Sequence, residues 1–188
     1  MKNINKSKKT EKPVNVYLVG LNHHTAPVEI REKVAVNANQ LEESLEMLRQ
    51  YIPNGIILST CNRTEIYAAG DEPSEEAILN FINALTGVSF VDLLPHIYLR
   101  ENGTVFKHLF RIASGLDSMI IGEYEVLGQI STALAAAETT SMITPELRNI
   151  FQSALRAGRQ VREETGISRS ALSVSSVAVD LASEPSMG

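Results

Sequence analysis

Cysteine is scarce: Cys61 is the only one among 188 residues. A single thiol excludes any internal disulfide and fits a reducing, cytoplasmic compartment. No paired-cysteine motif accompanies it, and His23, His24, His96 and His108 follow no zinc-ligand spacing, which argues against a metal-dependent hydrolase. Long apolar runs are also missing. None approaches the roughly 18–20 residues of a spanning helix, so no membrane role is expected. Residues 1–12 are rich in Lys and Asn and have no apolar centre, which excludes a secretory signal. There is no excess of positive charge: the net charge is −5, so any contact with nucleic acid must come from a local patch. The pattern Gly-x-Gly occurs nowhere, so the dinucleotide-binding fingerprint is absent. No internal repeat is visible.

What is present suits one domain, or one domain with a helical appendage. The 44% hydrophobic content supports a true core, and 21% charge is ordinary for a soluble chain. Residues 1–13 read as a disordered basic tail. Residues 14–21 (VNVYLVGL) read as a strand running into a polar loop closed by Pro27. A short helix over 28–36 and a better one over 39–51, stopped by Pro53, follow. Residues 55–60 and 64–69 read as a strand pair joined by a turn at 61–63, then a helix over 75–85 and a strand over 95–99. Strand–helix–strand–strand–helix–strand is the split βαβ order of a ferredoxin-like α+β sandwich. From residue 104 the pattern is helical, with apolar stripes starting at Val105, Val126 and Leu147. A last stripe, Val174, Val177, Ala178 and Leu181, reads as the start of a further helix.

Chemistry concentrates around the lone thiol. An apolar strand delivers Cys61 to a polar turn, and Arg63 follows two residues later. In a near-extended backbone these side chains point the same way, so Arg63 is expected beside the sulfur, favouring thiolate. The competing reading is a buried, inert cysteine. His108, on the shoulder of its helix's apolar stripe, reads either as a half-buried structural histidine or as a proton donor near Cys61. His23, in a loop after a strand, faces the same choice. Arg148, Arg156, Arg159 and Arg162 fall within about 120° on a helical wheel and form the best candidate phosphate-binding face.

Several motifs occur in an order that resembles glutamyl-tRNA reductase. They are 20–27 (GLNHHTAP) with Arg31 and Glu32, 59–65 (STCNRTE), 108–118 (HLFRIASGLDS), Gly122 with Glu123, and 173–176 (SVSS). The resemblance covers roughly residues 15–182. That family reduces the glutamyl group of glutamyl-tRNA to glutamate 1-semialdehyde for tetrapyrrole biosynthesis. The resemblance implies that Cys61 attacks the aminoacyl ester to form a thioester, splitting a hard reduction into two easier steps. It implies His108 as proton donor to the departing ribose oxygen. It also implies that Thr60, Asn62 and Arg63 recognise the glutamate, with Arg63 forking onto a carboxylate. Ser118, Glu123, Glu125 and His23 complete the implied pocket. One departure stands out: residues 122–125 read GEYE where the family carries Gly-Glu-Pro-Gln, which leaves the role of Glu125 open.

The family also carries an NADPH-binding domain and a helical dimerisation domain, and its partners are glutamyl-tRNA and possibly the downstream semialdehyde aminomutase. The expectation is therefore a catalytic and glutamyl-tRNA-recognition domain at 14–168, with the start of an inter-domain helix at 169–188. Such a piece would form the thioester, or hydrolyse it slowly, without bound NADPH. The alternative is a non-catalytic module that holds tRNA or a partner protein.

Overall fold

The computed structural model describes residues 14–70, 75–119, 122, 123 and 125–167. The tail at 1–13 and the expected inter-domain helix at 169–188 lie outside the described residues.

Four strands form one antiparallel sheet: β1 (Asn15–Asn22), β2 (Ile56–Thr60), β3 (Arg63–Gly70) and β4 (Tyr98–Glu101). Their spatial order is β2-β3-β1-β4. The two central strands are adjacent although a helical segment and β2 separate them in sequence, which is the crossover of the split βαβ unit. The α+β sandwich expected from the element order is the fold observed. β1 and β3 are buried along nearly their whole length, so both faces of the sheet are covered.

One face is covered by the first helical group: α1 (Val28–Val34), α2 (Leu41–Leu48) with the 3-10 turn before it, and α3 (Glu75–Thr86). On that face Ser59 and Thr64 pair through their hydroxyls at 3.2 Å, and Ser59 Oγ accepts the backbone N–H of Val36, just beyond α1. A short α4 (Phe90–Leu93), capped by Ser89, precedes β4. It displaces β4 from the expected 95–99 to Tyr98–Glu101, because the Ser89 cap winds the apolar residues before Pro95 into a turn.

The other face is covered by α5 (Gly103–Ala113) and α7 (Pro145–Glu164). Tyr67 of β3 meets Phe151 of α7 edge to face, with centroids 5.0 Å apart. Between them α6 (Glu125–Thr139) runs beside β2 and α2, covering that edge strand. The Thr144 side chain caps α7 by accepting the Leu147 N–H, and Pro145 occupies its first turn. Where α5 and α7 cross, Gly158 is obligatory: a Cβ there would lie 2.3 Å from the Ala113 carbonyl oxygen. No described helix is long and apolar enough to cross a membrane.

Candidate active site

The β2–β3 hairpin places Cys61. The register pairs Thr60 with Arg63, so Cys61 and Asn62 form a two-residue turn at the hairpin tip. Three contacts fix that tip. Thr60 Oγ1 accepts the Asn62 N–H at 3.1 Å, the Asn62 carbonyl accepts the His23 N–H at 2.8 Å, and Arg31 Nη1 of α1 donates to the Cys61 carbonyl at 2.5 Å. The loop after β1 is held from within, since Asn22 accepts the N–H groups of His24, Thr25 and Ala26. The thiol itself is exposed. It lies in a cleft of about 450 Å³ whose walls include Val28, Arg31, Thr60, Asn62 and Met119.

Arg63 does not lie where the two-residue spacing puts it. Extended alternation stops at the turn, and the guanidinium points into the interior, where Arg63 is 2% exposed. Nη1 donates to Glu65 Oε1 at 3.0 Å and to Asp117 Oδ2 at 3.1 Å, while Nη2 donates to the Asp117 carbonyl. Its fork is therefore occupied by the protein's own acceptors, and the expected pair with a substrate carboxylate is not open in this arrangement. The cation acting most strongly on the Cys61 thiol is instead Arg31. Crowding around the sulfur raises the thiol above its ordinary value, and the carboxylates of Glu123 and Glu125 raise it further, outweighing Arg31. The free chain thus holds a thiol, not a preformed thiolate.

Beneath the tip lies a buried network centred on Glu65, a residue the sequence reading did not single out. Glu65 is 0% exposed and accepts four hydrogen bonds. They come from Arg63, from His108 Nε2 at 2.8 Å, and from the hydroxyls of Tyr67 and Tyr98, both at 2.5 Å. Burial opposes its charge, but the His108 hydrogen bond, the Arg63 charge and the Tyr67 donor prevail and hold it at about 2. Burial and the Glu65 charge push both tyrosines up, so they remain donors. Gly20 of β1 makes the reach possible: a Cβ there would lie 2.8 Å from Glu65 Cγ.

A second clamp shapes the rim. Gly115 (φ 72°) and Gly122 (φ 85°) pinch the loop after α5, and the Gly122 N–H donates to the Gly115 carbonyl at 2.9 Å. Arg162 locks this pinch by donating to the carbonyls of Ala113 at 2.5 Å, Gly158 at 2.9 Å and Glu123 at 2.7 Å. It is buried, so it does not belong to the basic face expected on α7, and Arg148 is paired there with Glu138. Gly158, one turn before Arg162, was the available signal of close packing on that side.

The remaining expected residues divide between two openings. Thr60, Asn62 and Cys61 share the Cys61 cleft. Glu125, the first residue of α6, lines a groove that also touches Ser59. Ser118 is nearly buried in the pinched loop. His23 abuts the hairpin tip through its N–H; burial and the charge of His24 lower its pKa, so its ring is neutral at pH 7. His108 is 5% exposed and lines a separate cleft with Arg100, Lys107, Arg111 and Asp117. The structure therefore links His108 to the Cys61 hairpin through Glu65 and Arg63, and does not place the two side chains in one opening.

The described sheet is wholly antiparallel, with no strand leading through a Gly-rich turn into a helix, so these residues do not form a dinucleotide site. Among the described residues no group of three or more His, Cys, Asp or Glu could hold a metal ion.

The profile of the family described as "Glutamyl-tRNAGlu reductase, N-terminal domain" matches residues 19–165. The chain is 44% identical over 171 residues to the glutamyl-tRNA reductase of Pelotomaculum thermopropionicum, covering 89% of this chain and 38% of that protein. It is 39% identical over 169 residues to that of Roseiflexus castenholzii, covering 89% and 40%. Among solved structures it is similar to the glutamyl-tRNA reductase from Methanopyrus kandleri, with a TM-score of 0.68 and 30% identity over 89% of this chain and 39% of that one. The chain thus spans about 40% of the length of these relatives. Profile, sequence and fold agree: this chain belongs to the glutamyl-tRNA reductase family and carries its N-terminal domain.

Proposed function

We propose that this chain performs the acyl-accepting half of glutamyl-tRNA reduction, with Cys61 as the nucleophile. The observation that carries this reading is an exposed thiol at the tip of a hairpin held rigid from three sides, opening on a cleft large enough for an amino acid. Cys61 sulfur attacks the carbonyl carbon of the glutamyl ester, a C–S bond forms, and the bond to the terminal ribose oxygen breaks. In net, the thiol proton is exchanged for the proton that the ribose oxygen gains.

The raised thiol suits a substrate-dependent enzyme. Burial of the sulfur, and after it the carboxylates of Glu123 and Glu125, favour the protonated thiol in the free chain. The α-ammonium of a glutamyl group placed beside those carboxylates cancels their charge and eases ionisation when substrate is present. Arg31 lies on the same cleft and offers a cation for the side-chain carboxylate while Arg63 is engaged by Glu65 and Asp117. His108, fixed by Glu65, is the proposed proton donor to the ribose oxygen, reached from its own cleft. The hydride step needs NADPH, which the family uses; no residue described here is assigned to it.

The test is incubation with glutamyl-tRNA labelled in the glutamate, followed by acid quenching. Label should remain on wild-type protein, be released by hydroxylamine as a thioester is, and be absent from Cys61→Ala. Equal labelling of Cys61→Ala, which would place the acyl group elsewhere, or no label on wild type would sink the reading. With no label on wild type the rival, a module that binds tRNA without turnover, would stand.

A further inference from the structure

The outer face of α5 carries two parallel rows. Phe106 and Phe110 form one, Lys107 and Arg111 the other, each spaced four residues and so about 6 Å apart along the helix. Phe106, at 40% exposure, and Leu116 lie open to solvent, and with Phe110 they line an apolar groove of about 360 Å³. Lys107 and Arg111 form the rim that this groove shares with the His108 cleft, a polar cavity of about 460 Å³. Arg100 adds a third cation from β4, resting over the Tyr98 ring at 5.2 Å. Among the described residues none of these three cations has a carboxylate partner, and Asp117, the acid in the cleft, is already bound to Arg63. A concentration of unpaired positive charge on a chain of net charge −5 is a local patch with a purpose.

We infer that this face of α5 is the docking surface for a single-stranded polynucleotide end, with bases stacked along Phe106 and Phe110 and phosphates held by Lys107, Arg111 and Arg100. Aromatic platforms beside a basic groove are how single strands are bound without a duplex partner. The inference rests on the proposed reaction for its purpose, since the 3′ end of an aminoacyl-tRNA is single-stranded. Geometry supports the connection. Asp117 lines the His108 cleft and Met119 lines the Cys61 cleft, so only two residues of chain, at most about 7 Å, separate the openings. A terminal ribose on the His108 side can therefore present its ester across that ridge to the thiol. The arginines of α7, expected from the wheel to hold phosphate, line neither the groove nor the cleft.

The test is fluorescence anisotropy with a short fluorescein-labelled single-stranded RNA, using Cys61→Ala protein so that acyl transfer plays no part. Lys107→Gln with Arg111→Gln should weaken binding and lower the slope of log affinity against log salt by about 1.4, two contacts at about 0.7 each. Phe106→Ala should weaken binding about tenfold while leaving that slope unchanged. Arg156→Gln with Arg159→Gln on α7 should change neither. All these positions except Phe110 and Arg100 are exposed, so the variants test the surface and not the core. No binding by the parent protein, insensitivity to the α5 changes, or a blunt duplex competing equally well would each overturn the inference. So would sedimentation showing that Phe106→Ala dissolves a dimer, which would make the groove a contact between copies. None of these outcomes depends on whether Cys61 is acylated.

Discussion

Replacing Glu65 by Gln removes one charge from the middle of the molecule and almost no volume. Arg63, His108, Tyr67 and Tyr98 all donate to this carboxylate, and the substituted amide can accept at one end only. Breaking one side of a buried ion pair costs about 3–5 kcal/mol. The pKa gives a second route to the magnitude. Glu65 stands at about 2 against an ordinary 4.5, a difference worth about 3 kcal/mol of folding stability. Because the folded value is depressed, that stability is fully present above pH 5 and drains away as pH falls toward 2. Urea unfolding at pH 7 should therefore find Glu65→Gln about 3 kcal/mol less stable than wild type. The gap should shrink steadily between pH 5 and pH 2, since the variant has no proton to gain there. A gap below 1 kcal/mol at pH 7, or one that stays constant on acidification, would refute the reasoning.

Other expectations follow from the same geometry. Iodoacetamide should alkylate Cys61 more slowly than free cysteine at pH 7; Glu123→Gln or Glu125→Gln should speed the reaction and Arg31→Gln should slow it, and the reverse order would show the local charges to be misassigned. Gly158→Ala forces a methyl into the Ala113 carbonyl and should cost about 3 kcal/mol or more in thermal or urea unfolding by parting α5 from α7. Gly20→Ala, pressed against Glu65 and the Thr64 carbonyl, should cost about 1–3 kcal/mol and weaken the Glu65 acid dependence along with it. Arg162→Met should loosen the pinched loop, seen as faster amide exchange at Gly122 and Glu123, with α7 itself still protected.

The hairpin that carries Cys61 was legible because its two strands are apolar runs that stop at a polar turn, and the helical stripes at Val105, Val126 and Leu147 found α5, α6 and α7. The Glu65 network was not. Arg63, Glu65 and Tyr67 alternate as a solvent-facing row would, and only the helices brought in from residue 103 onward bury that row. A signal existed in β1: residues 16–21 (VYLVGL) run apolar without alternation, which marks a strand covered on both faces, so polar residues on the neighbouring strand must be paired. Arg63 was misplaced because a period of two was carried through a turn. Arg162 was misplaced because a wheel shows angle and not what lies opposite. Of the cations around His108, Lys107 and Arg111 flank it on α5 itself, whereas Arg100 comes from β4, which only the fold brings to them.

The central claim is that Cys61 takes the glutamyl group. Intact and peptide mass spectrometry after incubation with unlabelled glutamyl-tRNA tests it most directly. The account predicts one added glutamyl residue on the peptide containing Cys61, lost with hydroxylamine and absent from Cys61→Ala. An unmodified Cys61 peptide in acid-quenched samples taken while substrate is still being consumed, or an adduct located elsewhere, would contradict it.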